Sequence, residues 1–355
     1  MADMSDNSFD SIFVECDGEH HVFGNLVVDQ NRLVFERNSN FTITKPISHT
    51  ISKSCKLSDK IKFDLPVIVH GYIELHDSTI FQSCPKLTVH GSCQVYSSPH
   101  KCMPNNIVVF GELRICCQEE VELPAKLYAN KLIVWGCAAT VFPTTWNVVT
   151  SLQLDESSKL TNLNLDLSKI SNLIIPGSQI TNIENLSHLL ELDVSHSKLA
   201  CLPKSLRSVI TLDISNTEIS SIPDQAQIGT LYASNSKISH LPKPLNNVFG
   251  FIDVGNCPIT ELPEGLLIKG GLDISGTLLN RLPNRLSIDG ILNISRTGIT
   301  YIDDSISGNI SEVIAEETPL DLSDVPERLK SKLKHLPPTA SKTLEMAKKG
   351  ILGTR

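Results

Sequence analysis

Four aspartates, Asp193, Asp213, Asp253 and Asp273, each sit between two apolar residues at intervals of 20, 40 and 20 residues, with Tyr232 filling the gap and Asn293 following. Carboxylates that converge in a cleft can act as general acid and base or cleave glycosidic bonds. Carboxylates in a row can instead hold a cation or a basic peptide. Successive strands of a sheet lie about 4.8 Å apart, and like charges at that spacing repel by roughly 1 kcal/mol even in water. The competing reading is a solvated face on which each Asp bonds locally, as Asp273 would to Ser275. All these acids occupy one position of a repeat, which is periodic rather than site-specific.

Other candidate chemistry is sparser. His70 and His90 occupy equivalent positions in adjacent repeats and could stack within metal-ligand reach, but the third position is Phe110. The ten cysteines contain no CxxC pair of zinc spacing, and Cys116-Cys117 is adjacent and poor for one site. Cys93 falls on an inward position, while Cys137 and Cys257 replace a Thr or Ser of the repeat. Packing and turn formation therefore account for them better than disulfides or metal do. No GxSxG, HExxH, P-loop or GxGxxG motif occurs in a suitable setting. The sequence thus predicts no catalytic residues, no metal and no cofactor. In the N-terminal half the outward positions include Tyr72, Glu74, His76, Tyr96, Arg114, Lys131, Trp135 and Asp155. Tyr, Trp and Arg are the types enriched at interface hot spots. Trp135 is the best single contact candidate, unless the register slips and buries it in a wider turn.

What must position these residues is a repeat of about twenty residues. The apolar residue before each Asp or Asn falls at Leu192, Leu212, Leu231, Ile252, Leu272, Leu292 and Val313, and upstream at Ile73, Cys93, Leu113, Leu132, Leu152 and Leu173. So regular a period means a solenoid in which each turn stacks only on its neighbours. The L-D-I segment alternates as a strand does, placing Leu272 and Ile274 inward and Gly271, Asp273 and Ser275 outward. A tight turn follows, at which Thr217, Thr277 and Thr297 share one position with Ser197, Ser236, Cys137 and Cys257. A small hydrogen-bonding side chain there satisfies backbone groups inside the bend. Leu202-Pro203, Leu241-Pro242, Leu262-Pro263, Leu282-Pro283 and the variant Ile222-Pro223 then make the return side extended rather than helical. A glycine precedes the strand at Gly24, Gly71, Gly91, Gly111, Gly250, Gly270 and Gly290, requiring either positive φ or close backbone approach.

The turns from 192 to 302, with LDVSHSKLACLP, LDISNTEISSIP and LDISGTLLNRLP, resemble the short bacterial leucine-rich repeat with its L-P-x-x-L return. The resemblance implies a β-rich solenoid with a parallel sheet, extended return segments and short C-terminal helices as a cap. It also implies a kinship with type III secreted effectors. The usual Asn after the strand is here Thr, Ser or Cys, the N-terminal turns lack most Leu-Pro pairs, and with about forty residues after the last turn a ubiquitin-ligase domain is not expected. The expected organisation is a polar segment over 1–19, degenerate turns over 20–185 with an irregular stretch at about 36–62, regular repeats over 186–318, and a basic helical cap over 319–355.

Hydrophobic content of 41% and charge of 20% fit an ordered, soluble chain. No apolar run approaches a membrane span, and MADMSDNSFDSIF lacks the regions of a secretory signal. The expected location is the cytoplasm, or a host cell reached by a signal-peptide-independent route. From Glu327 to Arg355 eight Lys or Arg face two Glu, and Leu329, Leu333 and Leu336 are spaced for one helical face. A second helix is expected through KTLEMAKKGIL, with end-capping as its role and nucleic-acid or membrane contact as the subordinate reading. Solenoids build long surfaces rather than pockets. The leading expectation is therefore a protein-binding module, a bacterial effector whose strand face binds a host protein. An assembly solenoid comes second, and a carbohydrate-active β-solenoid third.

Overall fold

The thirteen inward positions predicted by the repeat are all fully buried, and they stand in register. The computed structural model describes residues 13–16, 19–22, 25–29, 32–36, 66–76, 83–96, 104–116, 123–136, 142–155, 159–242, 245 and 247–334. The expectations placed on Gly24, Cys137, the irregular stretch beyond Glu36 and the second C-terminal helix lie outside these residues. The chain forms two compact units, Met1–Ile180 and Thr181–Arg355.

In the first unit the ladder of paired residues runs Leu26, Ile73, Cys93, Leu113, Leu132, Leu152 and Leu173, each parallel to the next. Early turns carry two short strands, Val67–Val69 with Ile73–His76 and Leu87–Val89 with Cys93–Tyr96. Later ones fuse these into Asn106–Cys116, Lys126–Trp135 and Trp146–Leu154. The 19-residue gap between Leu113 and Leu132 is absorbed by a register shift between Ala129 and Lys131. At the N-terminal edge the pairing changes sense. Phe13–Cys16 lies antiparallel to Glu19–Val22, and Asn25–Asp29 antiparallel to Arg32–Glu36.

The second unit repeats the ladder through Leu192, Leu212, Leu231, Ile252, Leu272, Leu292 and Val313, and adds Leu333. A second, three-stranded strip is formed by Asn247–Val248, Leu267–Ile268 and Ser287–Ile288. Four residues after each inward position the backbone is left-handed, at His196, Asn216, Asn235, Asn256, Gly276, Arg296 and Glu317. Asn and Gly tolerate that conformation best, and it turns the chain out of the strand. The next side chain is buried and bonds inward. Thr217, Thr277 and Thr297 Oγ1 donate to the carbonyls of Ile214, Ile274 and Ile294 at 2.6, 2.7 and 2.6 Å. Cys257 Sγ does the same to Ala233 of the preceding turn at 3.0 Å.

The return side is extended, and at several turns the Pro carbonyl accepts the amide three residues on, as in Leu206 to Pro203, Ala226 to Pro223 and Leu245 to Pro242. That is a β-turn, for which P-x-x-L is suited. The glycine column is resolved in favour of close approach: Gly91, Gly111, Gly270 and Gly290 have no left-handed φ. A Cβ on Gly91 would lie 2.4 Å from the Gly71 carbonyl oxygen, and one on Gly270 would lie 2.5 Å from that of Gly250.

Two sequence expectations are corrected. The helical face through Leu329 and Leu333 breaks down, because the helix spans only Glu327–Lys330 and Leu333–Lys334 is a strand paired to Val313–Ile314. Val325-Pro326-Glu-Arg-Leu329 is one more P-x-x-L turn, with Leu329 donating to the Pro326 carbonyl at 2.8 Å. Leu333 then lies one period beyond Val313. In addition, Gly271 and Ser275 occupy outward positions but are covered, Gly271 by the Phe251 ring.

Candidate functional surfaces

On the first unit the strand face carries a connected set of polar and aromatic side chains. Alternation aims Tyr72, Glu74, Gln94, Tyr96, Glu112, Arg114, Lys131 and Trp135 away from the core. The Tyr72 hydroxyl donates to Glu74 at 2.5 Å, and Tyr96 donates to Gln94 Oε1. Glu112 joins two strands, receiving Arg114 at 2.7 Å and Lys131 at 3.0 Å. The Arg114 guanidinium stands 5.0 Å from the centre of the Trp135 ring, a cation–π distance. Trp135 is 39% exposed, so the register does not slip to bury it.

The electrostatics follow from this packing. Burial would raise Glu112, but hydrogen bonds from Lys131 and Arg114 outweigh it and hold the carboxyl below its usual range. Burial pushes the Tyr72 phenol far above its ordinary value, with the Glu74 hydrogen bond adding to the effect. Burial also raises Tyr96, helped by the Glu74 charge. None of these groups is poised near neutrality, as an acid–base catalyst would be. The arrangement can present a rigid mosaic of rings and charges, with its side chains already fixed by one another.

Cys116 occupies the register position between Tyr96 and Trp135. Sequence reading set it aside as half of a Cys-Cys pair, although the period alone placed it on this face. Beside the glycine column, His70, His90 and Phe110 are stacked with centroids 4.9 and 5.2 Å apart, and Tyr128 meets Phe110 edge-on at 5.8 Å. The two histidines lie face to face, as their spacing predicted. No cluster of three or more metal-binding side chains occurs among the described residues.

On the second unit Asp193, Asp213, Tyr232, Asp253 and Asp273 form one column, in register. Each Asp accepts the amide two residues on, at 2.9 Å from Ser195, Ser215 and Gly255 and at 2.8 Å from Ser275. Asn293 does the same for Ser295 at 3.1 Å, and its amide reaches Asp273 at 2.8 Å. Local turn-capping is thus what one oxygen of each carboxylate does. Burial raises Asp193 and Asp253, and neighbouring carboxylates add to it despite the bonds from the turn. Tyr232 stacks on Phe251 at 6.2 Å. Beside this column stand Leu190, Ile210 and Phe249, 53%, 58% and 75% exposed. Sequence reading overlooked all three. Leu190 and Ile210 sit where other turns have glycine, a signal that was available.

No protein-family model matches the chain, and no curated protein matches its sequence. Among solved structures, a leucine-rich-repeat protein of Leptospira interrogans is similar at 13% identity and a TM-score of 0.42, over 77% of this chain and 89% of that one. YopM from Yersinia enterocolitica is similar at 19% identity and a TM-score of 0.43, over 76% and 73%.

Proposed function

We infer that the chain is a protein-binding solenoid, with the first unit's strand face as its principal contact surface and Tyr72, Tyr96, Arg114 and Trp135 as its anchors. The observation that carries this reading is the stack of Arg114 on the exposed Trp135, braced by Glu112 and Lys131. A large ring and a guanidinium held ready in place lose little side-chain freedom on binding, and such residues dominate interface energetics. Asp193, Asp213, Tyr232, Asp253 and Asp273 supply a second surface of different character on the other unit. The effector role, with a host protein as partner, rests on the resemblance of the repeats over 192–302.

The test is a photo-crosslinker placed at position 96 of the full chain in host-cell lysate, beside a Tyr96, Arg114 and Trp135 triple alanine variant for capture. One dominant partner, crosslinked at this face and lost with the triple variant, supports the assignment. A partner retained by the triple variant removes the site. Capture of nothing, together with a monodisperse oligomer in light scattering, favours assembly.

A further inference from the structure

We propose that the exposed Tyr232 ring, with Phe251 behind it and Asp213 and Asp253 on either side, is a seat for one arginine side chain of a partner protein.

The seat begins with a break in the repeat. The turns at Leu192, Leu212, Ile252 and Leu272 each place Asp at the outward position that follows, whereas Leu231 is followed by an aromatic ring. Strand pairing sets Tyr232 directly beside Asp213 on one neighbour and Asp253 on the other. The ring is 37% exposed and is braced by Phe251, whose plane is inclined 27° to it at 6.2 Å. Phe251 in turn depends on the next strand having glycine, because a Cβ on Gly271 would lie 2.5 Å from its ring. The aromatic pair is therefore held in place before any ligand arrives.

The flanking acids lack a counter-charge. Asp213 Oδ1 accepts both the amide and the hydroxyl of Ser215, at 2.9 and 2.6 Å. Its Oδ2 has no hydrogen-bond partner among the described residues. Asp253 Oδ1 accepts the Gly255 amide at 2.9 Å. Neither carboxylate forms an ion pair with a described residue. Lys269, which lies beside Phe249 on the same strip, is held by Asp289 at 3.1 Å. The first unit's face differs, because Glu112 there is neutralised by Arg114 and Lys131.

An exposed ring between two carboxylates calls for a cation, and the geometry selects arginine. Strands about 4.8 Å apart put the two acids roughly 10 Å from each other, with the ring between them. A guanidinium is planar, lies flat on a tyrosine and carries donors on opposite edges, so it can stack on Tyr232 while donating to both acids. A lysine ammonium is a point charge that meets one of them. The stem has a place as well. Gly229 and Gly250 leave the sheet bare in the adjoining column, with the exposed Ile210 at its edge, and methylene groups can lie along that surface. The seat deepens the reading of this column as a binding surface, and a small probe reports on it independently of any protein captured by the first unit.

The experiment titrates N-acetylarginine amide into the full chain carrying isotope-labelled tyrosine rings, with the Tyr232 resonance identified by its loss in Tyr232→Phe. That resonance should move and saturate while those of Tyr72, Tyr96 and Tyr128 stay in place. N-acetyllysine amide should bind more weakly by roughly five-fold or more. The Asp213→Asn, Asp253→Asn variant retains its turn-capping oxygens, as Asn293 does, and should melt no lower than wild type. It should bind the arginine amide roughly ten-fold more weakly, whereas Asp289→Asn should bind it as wild type does. A Tyr232 resonance that arginine does not move overturns the proposal. So do equal responses to the two amides, parallel movement of all the tyrosines, or an affinity unchanged in the double variant.

Discussion

Replacing Gly270 by Ala tests whether glycine is required by the neighbouring turn rather than by its own dihedral angles. The added Cβ would lie 2.5 Å from the Gly250 carbonyl oxygen and 2.7 Å from its carbon. Ordinary contact begins near 3.4 Å, so one backbone must yield by almost an ångström. The Gly250 peptide cannot move freely, because its amide donates to Gly229 at 2.9 Å. Overpacking of this kind costs about 1–3 kcal/mol. Restricting the unfolded chain returns about 0.4–1 kcal/mol. The net loss is about 1.3 kcal/mol, or roughly 3–5 °C in Tm at about 2–4 °C per kcal/mol for a domain of this size. Gly298→Ala is the control: its φ is not left-handed and its Cβ would come no nearer than 3.3 Å, to the Leu279 carbonyl, so its effect should stay within about 1 kcal/mol. Thermal melts by circular dichroism of both variants suffice. Since stacked turns are coupled only to their neighbours, the Gly270→Ala transition should also broaden. A Gly270→Ala protein melting at or above wild type would refute the close-approach argument.

Two further substitutions probe the turn and the acidic column. Thr277→Val keeps the shape of a 3% exposed side chain and removes its 2.7 Å bond to Ile274. It should cost about 1–2 kcal/mol in urea unfolding, and equal stability would mean the hydroxyl is dispensable. Asp253 is raised by burial, with Asp273 and Asp213 adding, so the folded chain holds that proton more tightly than the unfolded one. Its contribution is favourable below the unfolded value and is lost as pH rises through the folded value. Asp253→Asn should therefore raise stability at pH 7 by up to about 1 kcal/mol from the like-charge term, read as a higher Tm, with a gain that shrinks toward pH 4. A pH-independent effect would contradict this.

The fold was legible because buried residues recur at fixed positions of every period and leave no alternative register. A single-residue slip would turn Leu272 and Ile274 to solvent and Asp273 into the core. The turn was legible for a related reason, since Thr, Ser and Cys at one position share only small size and a donor. What escaped reading involved positions where two periodicities compete. Leu329, Leu333 and Leu336 satisfy helical spacing, and that hid the twenty-residue step from Val313 to Leu333 and the P-x-x-L of VPERL. On the first unit's face, alternation placed Trp135 outward. The Arg114 stack and the Glu112 bridge needed the distance between strands, which a linear pattern does not carry. On the second, the local bond from Asp273 to Ser275 was legible, but the Asn293 link to Asp273 again needed the distance between strands.

The hydroxyl position in the bend has a consequence for how such a chain can change over generations. Thr217, Thr277 and Thr297 each close their own turn, through a carbonyl three residues earlier in the same turn. A whole period can then be copied or excised in frame without orphaning a partner elsewhere. Cys257 is the exception, because it donates to the carbonyl of Ala233 and contacts Ser236, both in the preceding turn. A break between those two turns would separate the Cys257 donor from its acceptor.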